Sequence, residues 1–257
     1  MMTAPVHYEI IGDPDAPPLV LSSSLGTTAA MWDPQLTALA DRFRVIRYDH
    51  RGHGRSPVPP GPYTVADLGG DVLALLDHLG VARASFAGLS LGGMTGMWLA
   101  ANAPARIDRL ALLCTSAKLG TPQMWEERAA LVLAEGTGTL AEAAIGRWFT
   151  PGFAERRPEV TAVYAKMITD TPDDGYAACC RAIGAMDQTG DLGRITAPTL
   201  VLAGADDPST PPETDGRVIA DGIPGARLVV VPDAAHLANV EQPGAVTGHL
   251  LDHLAGS

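Results

Sequence analysis

Three stretches of this chain carry residues that together could attack an acyl carbon. The first is Gly88-Leu89-Ser90-Leu91-Gly92, between the apolar run Ala84 to Ala87 and a helix-like segment from Leu91 to about Asn102. A serine flanked by glycines at a strand-to-helix turn is presented at the tip of the strand, and the residues two before and two after it must be small. Gly88 and Gly92 meet that need, and Gly93 lets the helix pack close to the strand. A serine hydroxyl is a weak nucleophile at neutral pH; it needs a base within hydrogen-bond reach, and the base needs an orienting carboxylate. Carboxylates stand in the second stretch, Gly204-Ala205-Asp206-Asp207-Pro208, after the apolar run Thr199 to Ala203. The base stands in the third, Pro232-Asp233-Ala234-Ala235-His236, after the run Leu228 to Val231. Of seven histidines, His236 alone lies in the loop after the last strand-like run; His249 and His253 read as polar positions on a closing helix, and His78 lies late in another.

Acyl transfer also needs two backbone N–H groups aimed at the oxygen on which charge develops. Leu91, which follows the serine, supplies one. The loop after the early strand, Leu21-Ser22-Ser23-Ser24-Leu25-Gly26-Thr27, supplies the other, assigned to Leu25. Ser23 and Ser24 are expected mainly to make turn hydrogen bonds.

These stretches need a sheet to hold them. Leu19 to Ser22, Arg44 to Tyr48, Ala84 to Gly88, Leu110 to Cys114, Thr199 to Ala203 and Leu228 to Val231 are short runs bounded by Gly, Pro or Asp. Such runs read as buried strands of a parallel sheet. Between them, Val65 to Leu79 sets Val65, Leu68, Val72, Leu75, Leu76 and Leu79 on one helical face, with Asp67, Asp71 and Asp77 away from it, and Gly80 as its stop. Strands alternating with helices imply an α/β doubly wound, mostly parallel sheet. From about Leu119 to Gln188 no comparable strand appears. Helix-like stretches replace them (123–135, 140–149, 158–169 and 175–186), carrying Trp125, Trp148, Phe149, Phe153, Tyr164 and Tyr176. The expected organisation is a core of residues 1–118 and 191–257 interrupted by an inserted helical cap, 119–190. Most of the cap aromatics are expected to form its own core.

Composition narrows the classes of partner. Length and a hydrophobic content of 46% suffice for a full core. A net charge of -11 argues against nucleic acid and against an anionic membrane surface. Cys114, Cys179 and Cys180 are an odd set with two adjacent, which suits a reducing compartment better than a disulfide framework. Met1 to Pro5 lack a charged and an apolar region of the kind a secretory signal has. The expectation is a cytoplasmic protein; its oligomeric state is not legible. In Asp49-His50-Arg51-Gly52-His53-Gly54-Arg55-Ser56, dense charge suggests a structural network, with Asp49 pairing to Arg51, rather than a metal site. No cofactor is expected.

The chain resembles the α/β-hydrolases over its whole length and, among them, the 3-oxoadipate enol-lactonases. The resemblance rests on Ser23 to Thr27, Met31-Trp32-Asp33-Pro34-Gln35, Gly88 to Met94, Lys118 to Thr121, Arg147-Trp148-Phe149-Thr150, Gly175 to Cys180 and Ala235 to Pro243. It implies the order Ser90, acid, His236 for a catalytic triad. Asp207 is favoured as the acid, three residues past Gly204 and four before Pro211, and Asp206 is the alternative. It also implies a small anionic lactone as substrate, opened through an acyl-enzyme in aromatic catabolism by the β-ketoadipate pathway. An anionic substrate approaching a chain of charge -11 needs a local cation. Arg147 beside Trp148 is the first choice, with Trp125 also lining the site; Arg128, Lys118 and Arg181 are alternatives. A cofactor-free perhydrolase or haloperoxidase, or a general carboxylesterase, would use the same three residues under a different cap. A non-catalytic, ligand-binding scaffold is the rival of another class.

Overall fold

The computed structural model describes residues 6–256, so the stretch Met1 to Pro5 read above lies outside the described residues. The chain begins β1 (Tyr8–Ile11), β2 (Pro18–Ser22), α1 (Asp33–Ala40), β3 (Arg44–Tyr48), α2 (Val65–His78), β4 (Ala84–Leu89), α3 (Leu91–Asn102) and β5 (Ile107–Leu113). Five helices follow without a strand: α4 (Pro122–Glu135), α5 (Ala141–Trp148), α6 (Pro151–Arg156), α7 (Pro158–Thr169) and α8 (Asp173–Ala185). It closes with β6 (Thr199–Gly204), α9 (Arg217–Gly222), β7 (Arg227–Val231), α10 (Ala238–Glu241) and α11 (Pro243–Leu254). The six expected strands are present within a few residues of their expected ends.

β1 is an addition that the apolar-run criterion passes over. It is an edge strand with every residue partly or fully exposed, paired antiparallel to β3, so its sequence has no buried run to show. The other neighbours are parallel, and the sheet order is β1-β3-β2-β4-β5-β6-β7. That order places the site. From β2 the chain steps outward to β3, then crosses back to β4 on the opposite side of β2, so the connections leaving the carboxyl ends of β2 and β4 diverge. The crevice left at such a reversal is where ligands bind in open α/β sheets.

Local chemistry fixes the helices that flank it. The Thr64 side chain accepts from the Asp67 N–H while Asp67 accepts from the Thr64 N–H, a reciprocal cap that starts α2. Gly80, at φ +66°, ends it as expected, and the Val81 N–H returns to the Leu76 carbonyl at 2.8 Å. Asp71 departs from the expected solvent face. It is buried and accepts both Nε and an Nη of Arg51 at 2.6 Å.

In the helical insertion α4 packs on α8 and α5 on α7. Its six aromatics divide evenly. Phe149 stacks on Phe153 and meets Tyr164 edge-on, with ring centroids 5.3 and 5.4 Å away, which makes a small core. Trp125, Trp148 and Tyr176 instead face the cavity described next. Among the described residues no helix is long and apolar enough to cross a membrane.

Candidate active site

β4 runs straight into the turn at Ser90, whose backbone sits at φ 57°, ψ −114°. A side-chain-bearing residue at positive φ costs on the order of 1–3 kcal/mol and persists only where its surroundings hold it. Three bonds hold this one. The Ser90 N–H donates to the Leu113 carbonyl at 2.9 Å, the Met94 N–H donates to the Ser90 carbonyl at 3.0 Å, and the Thr115 hydroxyl donates to the same carbonyl at 2.7 Å. The turn also requires its glycines. A Cβ on Gly88 would lie 2.2 Å from the Gly92 carbonyl oxygen, and one on Gly92 would lie 2.3 Å from that of Ser22. Among the described residues the other non-glycine residues at positive φ, Cys114 and Asp233, follow β5 and β7 at the same end of the sheet.

The acid and base arrive from β6 and β7. His236 Nδ1 lies 2.8 Å from Asp207 Oδ2, both side chains being almost wholly buried. A carboxylate only accepts, so Nδ1 carries a proton, and the neutral imidazole in that tautomer has its lone pair on Nε2. Burial opposes the Asp207 charge, but the facing His236 and hydrogen bonds from His236, the Thr210 hydroxyl and the Ser209 N–H prevail, and the carboxyl stays below its usual range. Asp206, one residue away, is exposed and its N–H closes the turn onto the Ala234 carbonyl at 2.9 Å. The structure thus sets Asp207, not Asp206, against His236.

Ser90 and His236 open on one cavity of about 250 Å³, just below the usual range of small-molecule sites. Leu25 lines it too. Among the described residues neither the Leu25 nor the Leu91 N–H meets a protein acceptor, whereas the Gly92 N–H between the two loops is bonded to the Ser23 carbonyl at 3.0 Å. The loop carrying Leu25 is held from beneath. His53 Nε2 accepts from the Gly26 N–H at 3.0 Å, and His50 Nε2 lies 3.0 Å from the Ser23 carbonyl. Burial pushes His50 down to about 3 and His53 down to about 4, so both stay neutral. Of the two serines only Ser24 makes a turn bond, its carbonyl accepting from the Thr27 N–H and hydroxyl; the Ser23 carbonyl faces His50 and Gly92 instead, and the Ser23 hydroxyl is buried without a partner among the described residues.

The motif around His50 is a structural network, but its pairing differs from expectation. Arg51 binds Asp71 of α2 rather than Asp49. Asp49 accepts instead from the Ala29 and Arg55 N–H groups and lies against Gly54, where a Cβ would come within 2.3 Å of its carboxylate. Likewise His253 is no free polar position. It lies 3.0 Å from the Leu110 carbonyl.

Arg147 and Trp148 from α5, and Trp125 from α4, line the same cavity, together with Arg128 and Tyr176. Arg128 lies over the Trp125 and Tyr176 rings, 5.4 and 5.6 Å from their centroids, and its buried Nε has no acceptor. Burial, then the neighbouring Arg128 charge, pull Arg147 below the usual arginine value, and no carboxylate counters them. The other candidates are spent elsewhere: Lys118 pairs with Asp187 at 2.9 Å and Arg181 with Glu126 at 2.7 Å. Arg128 stood among the alternatives, and its spacing of three from Trp125 was the sign that both share a helical face. Tyr176 and Thr115 were missed as site residues; Thr115, two residues past β5, had only its adjacency to that strand's end to mark it. The thiols take no part. All three are buried, and burial pushes Cys114, Cys179 and Cys180 up, the last to about 12.

Known proteins resemble this chain in sequence and in fold. Residues 17–243 match the family model of the alpha/beta hydrolase fold. A 3-oxoadipate enol-lactonase of Acinetobacter baylyi is 44% identical over 240 residues, which cover 93% of this chain and 89% of that protein. The crystal structure of the enol-lactonase from Burkholderia xenovorans LB400 superposes with a TM-score of 0.95 at 46% identity, covering 97% of this chain and 96% of the other. A thermophilic esterase from Thermogutta terrifontis, solved with malate bound, gives 0.92 at 34% identity over 97% and 93%. The chain belongs to the α/β-hydrolase fold family and, within it, to the 3-oxoadipate enol-lactonases.

Proposed function

We propose that this protein hydrolyses the enol-lactone of 3-oxoadipate, with Ser90, His236 and Asp207 as the catalytic triad. The observation that carries the reading is a single cavity lined both by Ser90 and His236 and by two arginines, Arg128 and Arg147, that have no carboxylate partner among the described residues. The first pair suits an ester carbonyl and the second a free carboxylate, and the substrate of this family has both. In this reading the insertion, 119–190, is a cap on a core of 1–118 and 191–257. The esterase relative solved with malate shows a small dicarboxylate bound on the same fold.

The Ser90 oxygen attacks the lactone carbonyl as His236 Nε2 takes its proton, and Asp207 holds the resulting imidazolium in place. The Leu25 and Leu91 N–H groups receive the oxyanion. Collapse of the tetrahedral intermediate breaks the ring C–O bond. The enol oxygen leaves with the proton from His236 and the enol becomes the ketone. Water, deprotonated by His236, then releases the acyl group from Ser90 as the second carboxylate of the product. An enol is a good leaving group, so specificity rests on binding. Arg147 with Trp148, and Arg128 held by Trp125, take the substrate carboxylate. The reaction calls on no cofactor or metal, and a cytoplasmic setting suits three unpaired thiols.

Steady-state turnover of the enol-lactone, 4-nitrophenyl acetate, and peroxide with acetate tests the assignment. Ser90→Ala is the control. Enol-lactone preferred by orders of magnitude in kcat/KM, and abolished in Ser90→Ala, is the expected result. Equal or better turnover of the aryl ester would make the protein a general carboxylesterase. Activity surviving in Ser90→Ala would overturn the triad.

A further inference from the structure

His236 is bracketed. The N–H of Ala235 before it donates to Glu241 Oε2 at 2.6 Å, and the N–H of Leu237 after it donates to the carbonyl of Trp148 at 2.9 Å. Trp148 belongs to the helical insertion and lines the cavity. Glu241 reaches the same corner of the insertion from its other oxygen. Its Oε1 accepts the Thr150 N–H at 2.9 Å and the Thr150 hydroxyl at 2.7 Å, where Thr150 caps the start of α6. One buried carboxylate therefore receives three donors, one from the loop of the base and two from the corner between α5 and α6. Two links, from the residues on either side of His236 to residues 148 and 150, leave the base little freedom to move apart from that corner.

We propose that Glu241 is a positioning residue that ties His236 to the cap, so that the base is correctly placed only while the corner bearing Arg147 and Trp148 is seated. The proposal rests on the reading of Ser90 and His236 as nucleophile and base. It assigns to a residue remote from the substrate a role in kcat rather than in binding. A carboxylate suits the position because every group facing it is a donor; a glutamine would turn its own N–H₂ toward donors at one end. Misplacing a base by about an ångström costs on the order of 100-fold in rate.

The test uses 4-nitrophenyl acetate, a neutral ester too small to need the cap arginines. Glu241→Gln is expected to lower kcat about 10- to 100-fold with KM changed less than about threefold. Thr150→Val, which keeps the N–H bond and loses only the hydroxyl, is expected to lower kcat less. Thr150→Ser, which restores the hydroxyl, is expected to return it. In the Glu241→Gln background Thr150→Val is expected to add little, because both act through one contact. An unchanged kcat in Glu241→Gln, or a fall in melting temperature alone, overturns the proposal. If Glu241→Gln does not fold, the Thr150 pair decides: unchanged kcat in Thr150→Val, or a loss that Thr150→Ser does not restore, overturns it. Full activity of Ser90→Ala on the same ester would instead overturn the triad on which the proposal stands.

Discussion

The Thr115 hydroxyl donates to the carbonyl of Ser90 at 2.7 Å, so the strained elbow is clamped from the neighbouring strand's end. Thr115 also packs against Gly93, where a Cβ would lie 2.6 Å from its side chain. Thr115→Val keeps the shape and removes the bond. It should cost about 1 kcal/mol in a denaturant titration. It should also lower kcat several-fold at nearly constant KM, because the serine peptide is then free to relax toward an ordinary conformation.

Asp207 and Asp206 make a sharp pair of controls. Asp207→Asn leaves the geometry but allows the wrong imidazole tautomer, and kcat should fall by roughly 10³- to 10⁴-fold. Asp206→Asn, on an exposed turn, should change kcat by less than about twofold, since surface substitutions away from special features are near neutral. Equal losses in the two variants would show that the acid has been misassigned.

Acid stability should be governed by His50 and His53 before any carboxylate titrates. Both are held neutral, at about 3 and about 4, whereas in the unfolded chain each accepts its proton near pH 6.5. As pH falls through about 6.5 the unfolded state takes up protons that the folded state refuses, and stability drops by up to about 1.4 kcal/mol per pH unit for each imidazole. The loss continues to about 4 for His53 and about 3 for His50. Asp207, with its depressed value, acts lower down, its contribution being present above an unfolded value of about 4 and lost beneath it. Melting temperature should therefore decline from about pH 6.5, and His53→Gln should flatten the slope. A flat profile between pH 7 and 4.5 would contradict this.

The arginine wall should discriminate by charge. Arg128→Leu or Arg147→Leu should raise KM for the carboxylate-bearing lactone by about 10- to 100-fold, the worth of a hydrogen bond to a charged group. KM for neutral 4-nitrophenyl acetate should stay within about twofold. A dicarboxylate such as malate should inhibit the parent enzyme competitively and lose potency in both variants.

The parts of the site readable from sequence are those whose chemistry forces a local pattern. The elbow needs small residues at fixed offsets, and Gly88, Gly92 and Gly93 are fixed by backbone atoms or side chains that a Cβ would strike. His236 and Asp207 are legible because they follow apolar runs, the edge strand β7 and the buried strand β6. The rest depends on which distant residues the fold brings together. Nothing in the order Asp49-His50-Arg51 says that Arg51 will choose Asp71 on α2, twenty residues on. Nor does Glu241 announce that both its oxygens point away from its own helix. β1 has no legible run because it is only four residues long and Glu9 interrupts its apolar residues. The aromatics between β5 and β6 divide between core and cavity by their place along α4 to α8, which composition does not specify.

The five helices α4 to α8 form a single contiguous segment between β5 and β6 that supplies most of the residues lining the cavity. Such a segment invites exchange between relatives to change substrate, and the two links beside His236 set the terms of that graft. A foreign segment that offers a carbonyl to the Leu237 N–H and a paired donor to Glu241 will arrive with the base already aligned. One chosen only for its pocket residues will bind its new ligand and turn it over slowly, and repair will come from its α5–α6 corner rather than from its pocket.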